Sequence, residues 1–225
     1  MWHKRIAVGL ALLAAALLVL SGVGVRAGLW PFRVGFGMFA GALVAGLAAT
    51  GTALVALLVP RLRAGAVSAL LFALILGAAS AALPLENLRR VKTLPYINDI
   101  TTDTQAPPQF SQPRPYERHF AELQKLGYPD LVPLELAVPP PQAFARAREA
   151  AHGLGWEIVA ADEAAGRMEA VATTLWFGFK DDVTVRIVPT AKGSRIDVRS
   201  RSRVGRSDIG ANADRIRKFF SVLKG

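Results

Sequence analysis

The chain has 225 residues, no cysteine, and 27 Lys and Arg against 17 Asp and Glu, for a formal net charge of +10. A hydrophobic fraction of 52% with 20% charged residues excludes a disordered chain, a coiled coil and a disulfide scaffold. The length admits one or two domains, and the charge separates two halves: residues 1–96 carry nine basic residues and one acid, Glu86, whereas residues 97–225 carry 18 basic and 16 acidic residues.

In the first half the basic residues flank apolar runs. The isoelectric point near 10.6 therefore reads as membrane-flanking charge, and a nucleic-acid partner is not expected. Residues 6–25, 34–60 and 64–85 are free of charge, and each reaches the roughly 20 residues a helix needs to cross the hydrocarbon core. Lys4 and Arg5 open the first run as in a signal peptide. The run is long, however, and no A-x-A site ends it, so a retained helix is expected. Gly37-x-x-x-Gly41 in the second run is a small-xxx-small pattern that permits close packing among the three helices. No ionisable residue lies inside a run, which argues for an anchor or docking surface over a transporter.

With a cytoplasmic N-terminus, Lys4, Arg5, Arg61 and Arg63 lie inside, in accord with the positive-inside rule, while Arg89, Arg90 and Lys92 oppose it. Three spans then place the C-terminal domain outside the cytoplasm. The expectation is an integral protein of the inner or plasma membrane with a periplasmic, envelope-facing domain. Its parts are a three-helix anchor over residues 1–87, a linker and extended segment over 88–115, and an α+β domain over 116–225.

The second half alternates elements. Residues 88–96 read as a basic linker and 104–115, rich in Pro and Gln, as extended chain. A short helix is predicted over 115–126 and a second over 142–154, following Pro139-Pro140-Pro141, which suits a first helical turn. Period-2 patterns predict strands over 156–161, 167–175, 182–188 and 195–204. Val183, Val185 and Ile187 share one face of the third, and Ile196, Val198, Ser200 and Ser202 one face of the fourth. Ile216, Phe219, Phe220 and Leu223 form the apolar stripe of a last helix over 211–223. An antiparallel sheet covered by helices is expected, of helix-grip or TBP-like form by analogy.

Three stretches together carry a family resemblance: residues 95–104 (PYINDITTDT), 173–187 (TTLWFGFKDDVTVRI) and 195–216 (RIDVRSRSRVGRSDIGANADRI). They resemble the DUF1499 family, whose function is uncharacterised, over about residues 90–225. The resemblance implies a domain class, membrane attachment by spans or lipid, and an extracytoplasmic location. It supplies no reaction and no catalytic residue.

Candidate sites follow from the residues. Arg199, Arg201 and Arg203 alternate on one strand and share a face, extended by Arg195 and Arg206, with Asp197 the one acid among them. Guanidinium groups suit phosphate or carboxylate, so Arg199, Arg201, Arg203 and Arg206 are candidate ligands of an anion or lipid headgroup. A solvated strand face, or salt bridges from Asp181, Asp182, Asp208 and Asp214, is the alternative. Trp176 and Phe179 belong to an aromatic turn, Trp176-Phe177-Gly178-Phe179, that serves as core, pocket lining or bilayer contact. Asp99, Asp103, Asp181 and Asp182 are the carboxylates a metal-assisted hydrolase would use, although the calcium-loop pattern is incomplete. No nucleophile elbow, phosphate loop or dinucleotide fingerprint occurs, and no cofactor or metal is expected. The leading expectation is binding of an anionic lipid or small ligand; a module docking a membrane-protein partner is the alternative.

Overall fold

The computed structural model describes residues 2–225. The chain divides into two units: Met1–Lys92 together with Leu175–Gly178, and Thr93–Thr174 together with Phe179–Gly225.

The first unit is helical: α1 (Trp2–Arg26), α2 (Phe32–Leu58), the single turn α3 (Pro60–Arg63) and α4 (Val67–Thr93). α1, α2 and α4 are long and apolar enough to cross a membrane. The His3 imidazole lies 2.8 Å from the Leu62 carbonyl oxygen, which sets the start of α1 beside α3. Small residues make the interior, with Ala7, Ala11, Ala49, Ala53 and Ala73 packed around Leu70.

The tight helix crossing is not at Gly37 and Gly41. Nothing lies within 4 Å of a Cβ built at Gly37, and Gly41 meets only Leu17. Instead α2 and α4 meet at Gly46 and Gly77. A Cβ at either glycine would come within 2.9 Å of the other's carbonyl oxygen, so backbone approaches backbone, as small residues in apolar surroundings allow. Beside this crossing the hydroxyls of Thr50 and Ser80 donate back to the carbonyls of Gly46 and Leu76, at 2.8 and 2.7 Å. The stretch expected as a linker from residue 88 begins as helix. α4 runs on to Thr93, with Glu86 paired to Arg89 and Arg90 within one turn.

The second unit contains β1 (Asp99–Thr101), α5 (Arg118–Gly127), β2 (Leu134–Leu136), α6 (Pro140–Gly153), β3 (Glu157–Asp162), β4 (Arg167–Thr173), β5 (Lys180–Thr190), β6 (Gly193–Ser202) and α7 (Ala211–Lys224). The fold is α+β. β3 to β6 form an antiparallel meander, and β1 and β2 both pair with the far side of β6, giving the order β1-β6-β5-β4-β3 with β2 beside β1's place. Asp99↔Arg201 and Leu134↔Ile196 set their registers. Neither short strand was expected, because three residues are too few to display a period.

β4, β5 and β6 have the faces their alternation predicts, whereas in β3 the expected Ile158–Ala160 face is broken: the register shifts between those two residues, and Ala160 is exposed. Met168, Ala170, Val183, Val185, Ile196 and Val198 point toward α6 and α7 and are buried with Phe144, Ile216 and Phe219. Trp156 stacks on Phe219 with ring centroids 4.9 Å apart.

The opposite face of the sheet is not left to solvent. Residues 102–117 cross it as a strap without helix or strand. Four prolines (Pro107, Pro108, Pro113 and Pro115) deny the strap the N–H groups a strand would need. Its carbonyl oxygens remain as acceptors, and the sheet meets them with guanidinium groups.

Candidate functional site

The strap-facing side of the sheet is set by register. Asp182 lies opposite Arg201, Thr184 opposite Arg199, and Arg186 opposite Asp197. Arg195, Asp197, Arg199, Arg201 and Arg203 thus share one face, as their alternation predicts, with Asp99 joining from β1.

Arg199 is fully buried and bidentate to Asp99, at 2.9 and 2.8 Å. Its remaining N–H groups donate to the strap carbonyls of Pro108 and Arg114. Phe110 and Tyr116 flank its guanidinium at 5.1 and 5.4 Å, a cation–π arrangement strengthened by exclusion of water. Burial, and then the charge of Asp99, push the Tyr116 phenol above its ordinary value. Arg199 is therefore neither a solvated side chain nor an open anion ligand. It ties strap to sheet.

Beside it, Asp103 on the strap and Asp197 on β6 each accept from both Arg186 and Arg195. Arg186 also donates to the Ala106 carbonyl at 2.9 Å. Burial works to raise the Asp103 carboxyl. The N–H groups of Ala106 and Gln105, with Arg186 and Arg195, outweigh it and hold the group below the usual carboxylate range.

Toward the end of β6 the neutralisation thins. Arg201 donates to the Pro115 carbonyl at 3.3 Å and stands 3.7 Å from Asp99. Arg203 pairs with Asp182 at 2.7 Å, and Asp182 also faces Arg114 at 2.8 Å. Arg206 is exposed and has no acidic partner among the described residues.

A second buried cluster lies on the helix side. Asp181 accepts from Arg215 of α7, whose other N–H groups reach Ser200 and Asn212. Asn212 in turn bonds Ser200, Ser202 and the Asn98 carbonyl. Asp208 accepts from the N–H groups of Gly210 and Asn212 at the start of α7, at 2.9 and 2.8 Å. Burial nevertheless pushes its carboxyl up, against the pull of those N–H groups. These polar atoms are mutually satisfied and hold α7 to the sheet.

The family model of DUF1499, described as a protein of unknown function, matches residues 99–223. The chain belongs to the DUF1499 family. No curated protein matches it. The match spans the ion pairs of the strap face and, apart from Asn98, the Asn212 cluster.

Within this DUF1499 chain the expected ligand residues separate. Arg199, Arg201, Arg203, Arg206 and Phe179 belong to the sheet unit, whereas Trp176 falls in the helical unit. There its indole N–H donates to Ser21 at 3.2 Å, and its carbonyl abuts Gly22. Phe177 meets Phe36 and Phe39 edge-on, at 5.0 and 5.5 Å. Phe179 is half-buried, its N–H bonded to the Thr174 hydroxyl.

The four carboxylates proposed for a metal do not share one face. Asp181 lies under α7 and Asp182 on the strap side, as neighbours on a strand must. Each of Asp99, Asp103, Asp181 and Asp182 is engaged by at least one arginine. Of the four acids expected as alternative salt-bridge partners of this row, Asp182 alone pairs with it; Asp181 and Asp214 pair with Arg215 and Arg217, Asp208 accepts backbone N–H groups, and Asp99 and Asp103, the main counter-ions, were missed. The only signal for them was their place in the same resembling stretches.

Proposed function

We propose that this DUF1499 protein is an integral protein of the inner or plasma membrane whose domain faces the envelope and binds an anionic lipid headgroup or small anion. The proposed site is Arg201, Arg203 and Arg206, bordered by Phe179. The observation that carries the reading is the gradient of neutralisation along β6. Arg199 is completely buried and paired, the Arg201 and Arg203 side chains are 27% and 40% exposed, and Arg206 has no acidic partner among the described residues. Partly exposed guanidinium groups whose charge is only partly met, with Arg206 beyond them, suit phosphate or carboxylate. Phe179 adjoins this end because the Arg203 N–H donates to the carbonyl of the next residue, Lys180. Arg199 and Trp176 leave the proposed set, since both are committed to internal partners.

Three helices long and apolar enough to cross a membrane support the location. Lys4, Arg5, Arg61 and Arg63 favour a cytoplasmic N-terminus, hence an extracytoplasmic domain. The long α7 against an antiparallel sheet is the ground for reading the domain as helix-grip or TBP-like. Native mass spectrometry of the intact protein in mild detergent tests the binding. A stoichiometric anionic lipid or metabolite is expected, lost in Arg201→Gln/Arg203→Gln/Arg206→Gln while the melting temperature holds. Unchanged occupancy in that variant overturns the site.

A second reading, a module docking a membrane-protein partner, is favoured by β3. Among the described residues it pairs only with β4, and Val159 on it is 55% exposed. A partner strand added there predicts co-purification that Val159→Pro abolishes.

A further inference from the structure

We infer that Lys4, Arg61 and Arg63 form a binding site for the headgroup of an anionic phospholipid at one end of the helical unit. Charges that merely orient a span need only lie near its end. These three are gathered by the fold. The His3 imidazole, 2.8 Å from the Leu62 carbonyl oxygen, holds the first turn of α1 against α3 across 59 positions of chain. Lys4 follows His3, and Arg61 and Arg63 flank Leu62. Leu62 packs on the alanine-rich interior, and the two arginines beside it are exposed. Lys4 is half-buried, little more than a quarter-turn from His3. Arg5 lies more than half a turn round the helix from His3 and is exposed.

No carboxylate of this unit answers the cluster. Glu86 is the one acid in residues 1–92. It lies about 28 Å along α4 from Val67, where that helix begins, and is paired with Arg89 and Arg90. A phosphate from outside the chain is the complement the cluster lacks. Arginine can hold its oxygens bidentately, and lysine adds a point charge.

The cluster stands at headgroup level. Arg61 follows the charge-free run that ends at Pro60, Arg63 precedes the run from Ala64, and Lys4 and Arg5 precede the run from Ile6. Trp2, at the same end, is 73% exposed, and tryptophan favours the membrane–water interface. Leu58 and Val67, on either side of α3, are 72% and 46% exposed and offer a surface to acyl chains. Cations beside such a surface select a phosphate carried on a lipid over a free one. The inference rests on the three helices crossing a membrane and involves none of Arg201, Arg203 or Arg206.

Native mass spectrometry of the full chain in mild detergent, titrated with phosphatidylglycerol, tests the site. The titration is run in the Arg201→Gln/Arg203→Gln/Arg206→Gln background, so that loss of the other proposed site cannot be mistaken for loss of this one. Binding is expected there, tighter than for phosphatidylcholine. Each of Lys4→Gln, Arg61→Gln and Arg63→Gln should weaken it roughly fivefold, with the melting temperature in lipid-free detergent unchanged, and Arg5→Gln should weaken it less. Raising the ammonium acetate concentration should weaken it in the parent chain, a readout that needs no further variant. Affinity untouched by the three substitutions, or insensitive to salt, overturns the site. An equal loss in Arg5→Gln overturns it too, leaving only diffuse end charge. Displacement of the lipid by millimolar inorganic phosphate overturns the assignment to a lipid.

Discussion

Arg199 shows how one side chain's role depends on where its partner comes from. Its counter-ion, Asp99, lies 100 positions earlier in the chain, and both groups are removed from water. Coulombic attraction offsets the desolvation of such a pair only when geometry and hydrogen bonding are complete, and here both carboxylate oxygens and two strap carbonyls complete them. Asp99→Ala should therefore destabilise the protein by about 3–5 kcal/mol, because it strands a buried guanidinium. Chemical unfolding of the full chain reads the loss, and Asp99→Leu/Arg199→Met should lose less. Asp103 adds a pH dependence of known sign. Its carboxyl is held below its ordinary 3.8 in the folded protein. Its stabilisation is thus complete above that value and is lost as pH falls through the lower folded value. Thermal melts between pH 5 and about 2 should show a steeper acid decline for the native chain than for Asp103→Asn. The shared face of Arg199, Arg201 and Arg203 was legible in the sequence from strand periodicity. Which of them would be buried was not, since the strap that covers Arg199 does so from remote positions.

At the scale of elements, the docking of α5 onto β1 rests on one side chain. Gln124 accepts from the Thr101 N–H at 2.9 Å and donates to its carbonyl at 2.5 Å, completing the strand edge as a neighbouring backbone would. Gln124→Ala leaves both groups buried without partners. At roughly 1–3 kcal/mol for each unsatisfied group, β1 should open first, seen as faster amide exchange at Thr101. In the helical unit, Gly46→Val should lower the melting temperature in detergent, because the new side chain meets the Gly77 carbonyl. Gly37→Ala should leave it unchanged, since that position faces open space. Glycine spacing in the sequence identified a packing-prone helix without identifying the crossing. The crossing depends on how α2 lies against α4, and α4 enters the pattern only once the helices are assembled.

For the whole molecule, the absence of cysteine offers a direct reading of sidedness. A single Val159→Cys should react with a membrane-impermeant maleimide in intact cells or spheroplasts. Labelling only after lysis would place the domain in the cytoplasm. Hydropathy and alternation along the chain were enough for the three apolar helices, the four meander strands, the inward faces of β4, β5 and β6, the last helix and the family. Hydropathy and periodicity are properties of neighbouring residues, and a run of ten or twenty is long enough to display them. Folding alone makes the arginine row largely an internal fastening, neutralised by Asp99, Asp103 and Asp182, and commits Trp176 to the helical unit. Opposite charges and orphan carbonyls find each other by proximity in space, and the strap brings them together from a stretch of chain whose own pattern holds no sign of what it will cover.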